Sequence, residues 1–160
     1  DEIKILKLPI DYQAKIKEVI SFVQSQFDNI LDSNNQLIHS DLGADNFLFD
    51  GNQVIGIIDF TPEVENEYYS VSHFIYWNYL WNTEEIKCKE ILDIFGFYGK
   101  YSSQKLEDRL ILLSLIKASV SRLVGKVLYQ IENYKTNLNS INKRLKIVIT
   151  LINLYYQEYR

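Results

Sequence analysis

No methionine occurs among the 160 residues, and there are only one cysteine, two prolines and six glycines. Each scarcity excludes something. A lone cysteine, Cys88, leaves no intramolecular disulfide and suits a reducing compartment, so a cytoplasmic location is expected. No run approaches the ~18 consecutive apolar residues of a membrane span. Asp1-Glu2-Ile3-Lys4 lacks the basic head and apolar stretch of a secretory signal. The net charge is −4 with acids scattered, which excludes the basic patch of a nucleic-acid surface and is mildly compatible with a cationic substrate. Chains begin with methionine, so its absence points to a trimmed or processed fragment. What is present is a 47% apolar composition, that of a soluble globular domain or one lobe of a larger one.

Apolar residues at spacings of three and four predict a helix over 11–31, with Ile16, Val19, Ile20, Phe22, Val23, Phe27 and Ile30 on one face. "DSNNQ" breaks it. Asp50-Gly51-Asn52 between "NFLF" and "QVIGI" is a hairpin signal. "YYSVSHFIYWNYLW" reads as an aromatic helix. Thr83 is placed to cap a helix over "EEIKCKEILDIFGFYG", with Gly96 and Gly99 at its end. Ser102 or Ser103 would cap a long helix to about Ile131, striped by Leu106, Leu110, Leu113, Ile116, Val120, Leu123 and Val127. A last helix is expected from about Ser140 to Tyr159. The fold class is therefore mainly α (α+β): a helical bundle with a small β-hairpin carrying functional loops.

The chemistry concentrates in "LIHSDLGADNFLF". His39, Asp41 and Asn46 fall within eight residues, and Asp59 follows the hairpin. A hairpin returns its two ends to one place, so Asn46 and Asp59 converge, with Asp41 just upstream. Phosphoryl transfer requires this set of groups. Magnesium prefers hard oxygen ligands, which a carboxylate and an amide carbonyl supply. A second carboxylate beside the metal accepts or orients the proton of an acceptor hydroxyl.

The stretch resembles the aminoglycoside phosphotransferase and choline-kinase-like family, whose members carry His-Gly-Asp-x-x-x-x-Asn, a hairpin, then Ile-Asp-Phe or Ile-Asp-Trp. Here these are His39-Ser40-Asp41 to Asn46, then Ile58-Asp59-Phe60. The resemblance implies a kinase-like fold with Asp41 as catalytic base, Asn46 and Asp59 as magnesium ligands, and His39 holding the loop by hydrogen bonds. It implies ATP and a small-molecule acceptor as partners. The close match covers residues 37–60, and the helices around it are compatible with that family's C-terminal lobe. Ser40 replaces the usual glycine. Past Asp59, Glu67 falls near the first acid of the family's Gly-Asp-Pro pattern, but Val71 stands where a second, supporting acid is usual.

Glu63, Glu65 and Glu67 either draw a cationic acceptor or form a solvated acidic loop, the second being commoner for exposed acids. Phe74, Trp77 and Trp81 read as core before substrate platform. His73, with no metal-ligand partner at suitable spacing, reads as structural. Cys88 lies among lysines that lower a thiol pKa, but no base accompanies it.

Upstream of His39 there is no glycine and no Val-Ala-Ile-Lys-like strand, so the nucleotide-binding lobe of a kinase-like enzyme is absent from these residues. The expectation is a C-terminal lobe, inactive alone, whose exposed lobe-facing surface favours self-association. The competing expectation is a non-catalytic, pseudokinase-like binding or regulatory module on the same fold, which intact Asp41, Asn46 and Asp59 argue against.

Overall fold

The computed structural model describes residues 8–26, 35–81, 83, 85–101, 107–132 and 137–159. In chain order these form α1 (Ile10–Ser25), β1 (Asn35–His39), a 3-10 turn (Ala44–Asn46), β2 (Phe47–Asp50), β3 (Gln53–Ile57) and β4 (Pro62–Asn66). Then come α2 (Glu67–Ile75), continued by a π-helical turn (Tyr76–Leu80), and α3 (Cys88–Tyr101), α4 (Asp108–Glu132) and α5 (Leu138–Tyr159). The mainly α architecture with a small β element matches the expectation. No helix among the described residues is long and apolar enough to cross a membrane.

α4 is the axis of the bundle. It packs against α5, α2 and α1. The expected stripe is present from Leu113 to Val127, but Ile111, Leu112 and Leu115 are buried as well, so residues 111–116 of α4 are enclosed on all sides. Ile141, Leu145, Val148, Leu151 and Leu154 line the facing side of α5 at steps of three and four. Burial of each such side chain contributes roughly 1.5–3 kcal/mol. α1 adds Ile16, Val19 and Phe22. Phe27, Ile30, Ser102, Ser103 and Leu106 lie outside the described residues.

The β element differs from the single hairpin expected. β2 and β3 do form that hairpin, with Asp50 opposite Gln53 and a bulge at Leu48/Phe49. Gly51 takes φ 57°, the left-handed conformation that the first residue of a two-residue turn needs and that glycine adopts without strain. A second antiparallel pair joins β1 to β4, His39 opposite Pro62 and Asn35 opposite Asn66. The segment read as an acidic loop is therefore a strand, with Glu63 and Glu65 on it and Glu67 opening α2. Asn66 caps that helix, its Oδ1 accepting from the Tyr69 amide at 2.9 Å.

Two helix boundaries also differ. Thr83 caps no helix: its hydroxyl donates to the Glu85 carbonyl and accepts from the Glu85 amide. That local turn delays α3 to Cys88. Gly96 and Gly99 do not end α3, which runs through both to Tyr101. Their helix-propensity cost, roughly 1 kcal/mol each, is offset by burial of Ile91 and Phe95.

Candidate functional site

The loop after β1 is held by a closed set of hydrogen bonds. The Asp41 amide donates to His39 Nδ1 at 3.1 Å, which requires the His39 proton on Nε2. Nε2 faces the Ile58 carbonyl at 3.4 Å. The Ile58 amide donates to the Asn46 carbonyl at 2.9 Å, and Asn46 Nδ2 donates to the Asp41 carbonyl at 2.7 Å. The circuit joins His39, Asp41 and Asn46 to the residue preceding Asp59. His39 is buried and meets the Phe60 ring edge-on at 5.0 Å. Ser40 ties the loop to the far arm, its amide donating to the Thr61 carbonyl at 3.0 Å and its hydroxyl to the same oxygen at 3.2 Å.

The hairpin thus returns Asp59 to the loop as the sequence suggested, through backbone contacts on either side of it. Asp59 has φ 52°, a conformation that aspartate tolerates better than most residues. The Asp41 and Asp59 carboxylates make no hydrogen bond or ion pair among the described residues. Asn46 spends its amide nitrogen on Asp41, which leaves its Oδ1 as a free acceptor. Two free carboxylates and a free amide oxygen suit a hard cation. No group of three or more His, Cys, Asp or Glu side chains that could hold a metal occurs among the described residues. These oxygens alone would be a partial ligand set, one that a hard cation such as magnesium would complete with water or other oxygen donors.

Asp41 opens into a cavity of about 690 Å³, within the range of small-molecule sites. Of the three glutamates singled out, Glu63 lines this cavity. Glu67 is engaged elsewhere, accepting from the Tyr98 hydroxyl at 2.8 Å; burial first, then this contact, raises the Tyr98 pKa. Trp77 and Trp81 are not simple core. Both are half-buried, lie against each other at 4.9 Å and line the cavity. Phe74 packs instead in an apolar cleft with Leu42 and Phe47.

His73 is structural in one sense and part of the cavity wall in another. It is buried, and its Nδ1 accepts from Arg122 at 3.1 Å. Burial first, then the Arg122 guanidinium, pulls its pKa down to about 4, against the opposing pull of the Ser40 backbone and Asp41. Its Nε2 lacks a partner at hydrogen-bonding distance and angle. Asn78 pins the Asp41 loop to the aromatic helix, donating to the Leu42 carbonyl at 2.9 Å and the Phe74 carbonyl at 2.8 Å. Cys88 does not follow its lysines: burial raises its thiol pKa.

Arg122, Lys126 and Arg144 also line the cavity, delivered by α4 and α5. Nothing in the spacing around Asp41 signals them.

A model described as the phosphotransferase enzyme family was matched in a comparison with known families. Residues 2–62 match that family. The matched stretch runs through the loop, the hairpin and Asp59, so the family read from those residues is the one the comparison returns. It leaves α2 to α5, and with them most of the cavity wall, outside the match. Neither the curated proteins nor the solved structures searched gave a match.

Proposed function

We propose that these residues form the acceptor-binding, catalytic lobe of a phosphotransferase that moves the γ-phosphoryl group of ATP to a hydroxyl of a small molecule. The observation that carries this reading is the hydrogen-bond circuit that fixes Asp41, Asn46 and the approach to Asp59 around free oxygen ligands. Asn46 Oδ1 and the Asp59 carboxylate would hold magnesium, whose charge neutralises the phosphates when bound.

Asp41 sits where the loop meets the cavity and receives the acceptor. The acceptor oxygen bonds to the γ-phosphorus, the bond to the β,γ-bridging oxygen breaks, ADP leaves, and the acceptor proton passes to the Asp41 carboxylate. His39 positions Asp41 through its amide and does no chemistry. Acceptors suggested by the family resemblance are aminoglycosides and other antibiotics, amino alcohols and sugars, but a shared fold does not choose among them.

The test is a transfer assay with γ-labelled ATP, magnesium and a panel of hydroxylated acceptors, run on the full-length gene product. Asp41→Ala and Asp59→Ala are each expected to lower turnover at least a hundredfold. Turnover that survives both would overturn the reading. The 160 residues alone, with no glycine ahead of His39 to cover the phosphates, are expected to give no ATP-dependent turnover. Turnover from them that Asp41→Ala abolishes would remove the need for a second lobe.

A further inference from the structure

Two acids and three cations line the Asp41 cavity. The acids, Asp41 and Glu63, come from the end of the β1–β4 sheet; the cations, Arg122, Lys126 and Arg144, come from α4 and α5. The arginines are not placed as surface charges. The Arg122 guanidinium lies 4.5 Å from the Trp77 ring centroid and that of Arg144 4.1 Å from Trp81. Arg144 Nη1 donates to the Tyr76 hydroxyl at 2.7 Å. Both side chains are half-buried, and neither forms an ion pair among the described residues.

Charge withdrawn from water is normally paired. Stacking on tryptophan orients a guanidinium plane but brings no counter-charge. Each arginine is held by one nitrogen and by ring faces, Arg122 by Tyr76 as well as Trp77, so its remaining N–H donors are left for a planar or tetrahedral oxyanion. Burial lowers the Arg144 pKa; the Tyr76 hydroxyl opposes this, and the neighbouring Arg122 charge adds to it. Trp77 Nε1, a donor only, is likewise buried with no partner.

We infer that the acceptor carries an anionic group, a carboxylate or a phosphate, which Arg122, Arg144 and Lys126 hold while its hydroxyl lies at Asp41. This rests on the phosphotransferase reading for the role of Asp41. It sets aside the cationic acceptor that Glu63, Glu65 and Glu67 suggested. Glu67 is bonded to Tyr98 and Glu65 does not line the cavity, so a polycation would meet three cations with Glu63 as the remaining non-catalytic acid.

The chain contains two tryptophans and both line this cavity, so intrinsic fluorescence reports on it directly. The 160-residue chain is titrated at low salt, without ATP or magnesium, with gluconate, glycerol phosphate, glycerol and kanamycin. Gluconate or glycerol phosphate is expected to give a saturable change, with glycerol and kanamycin weaker by at least tenfold. A response to gluconate alone assigns the carboxylate, and to glycerol phosphate alone the phosphate. Arg144→Gln is expected to weaken the anion at least tenfold and Lys126→Gln several-fold, with circular dichroism confirming that each variant is folded. Kanamycin binding more tightly than both anions, no saturable response to either anion, or equal anion affinity in folded Arg144→Gln and Lys126→Gln would overturn the inference. Because binding is read without ATP, failure here leaves the transfer assay standing, and failure of that assay leaves this titration standing.

Discussion

His73 is expected to couple the stability of this fold to pH. Its pKa is lowered from 6.5 to about 4, by burial first and then by the Arg122 charge. In the unfolded chain the ring takes up a proton below about 6.5; in the folded chain it does so only near 4. Between these values the unfolded state holds more protons, so acid favours unfolding. The neutral ring's contribution is complete above about 6.5 and is lost as pH falls through 4. At ~1.4 kcal/mol per pH unit, the interval is worth about 3 kcal/mol. For a chain of this size that corresponds to roughly 6 to 12 °C in Tm. The assay is urea unfolding of wild type and His73→Gln at pH 7 and pH 4. Glutamine keeps an acceptor for Arg122 and does not titrate. Carboxylates contribute equally to both proteins, so wild type should lose about 3 kcal/mol more than the variant over this range. With only two histidines in the chain, ring NMR signals follow the same event directly, and one should titrate near 4. Equal losses in both proteins, or no ring titrating near 4, would refute the reasoning.

Asn46→Ala removes the bond to the Asp41 carbonyl; a loss of about 1 kcal/mol is expected by urea unfolding, with turnover of the full-length protein falling far more than stability does. Phe49 and Ile55 are 58% and 66% exposed on the hairpin, beside exposed Val54 and Ile57, so the isolated chain is expected to self-associate through this face. Light scattering should show dimers or larger species that Phe49→Glu with Ile55→Glu converts to monomer.

The loop was legible because its chemistry is local. The five-residue step from Asp41 to Asn46 and the Asp50-Gly51-Asn52 turn fix which groups meet, whatever the rest of the chain does. The β1–β4 pair was not legible, because "PEVEN" carries two acids and has strand character only against a partner that precedes the hairpin. Arg122 and Arg144 were out of reach for a similar reason. On their own helices they look like ordinary exposed cations, and only the packing of α4 and α5 brings them under Trp77 and Trp81. Thr83 was misjudged because capping a helix and closing a turn use the same hydroxyl.

The turn over Tyr76–Leu80 closes with the Trp81 amide donating to the Tyr76 carbonyl at 2.9 Å, five residues back rather than four. Such a turn holds one residue more than an α-turn, and one residue is about 100° of helix rotation. Deleting one residue between Tyr76 and Leu80 would restore regular pitch and swing Trp81 away from Arg144, turning the buried Leu80 with it, while Tyr68, Val71 and Ile75 kept their places in the bundle. Insertions and deletions are ordinarily tolerated in loops and forbidden in packed helices; a single-residue change in length at this turn would reshape the cavity wall at Trp81 together with the buried Leu80 and the Asn78 tie to Leu42, while the helix ahead of it kept its register.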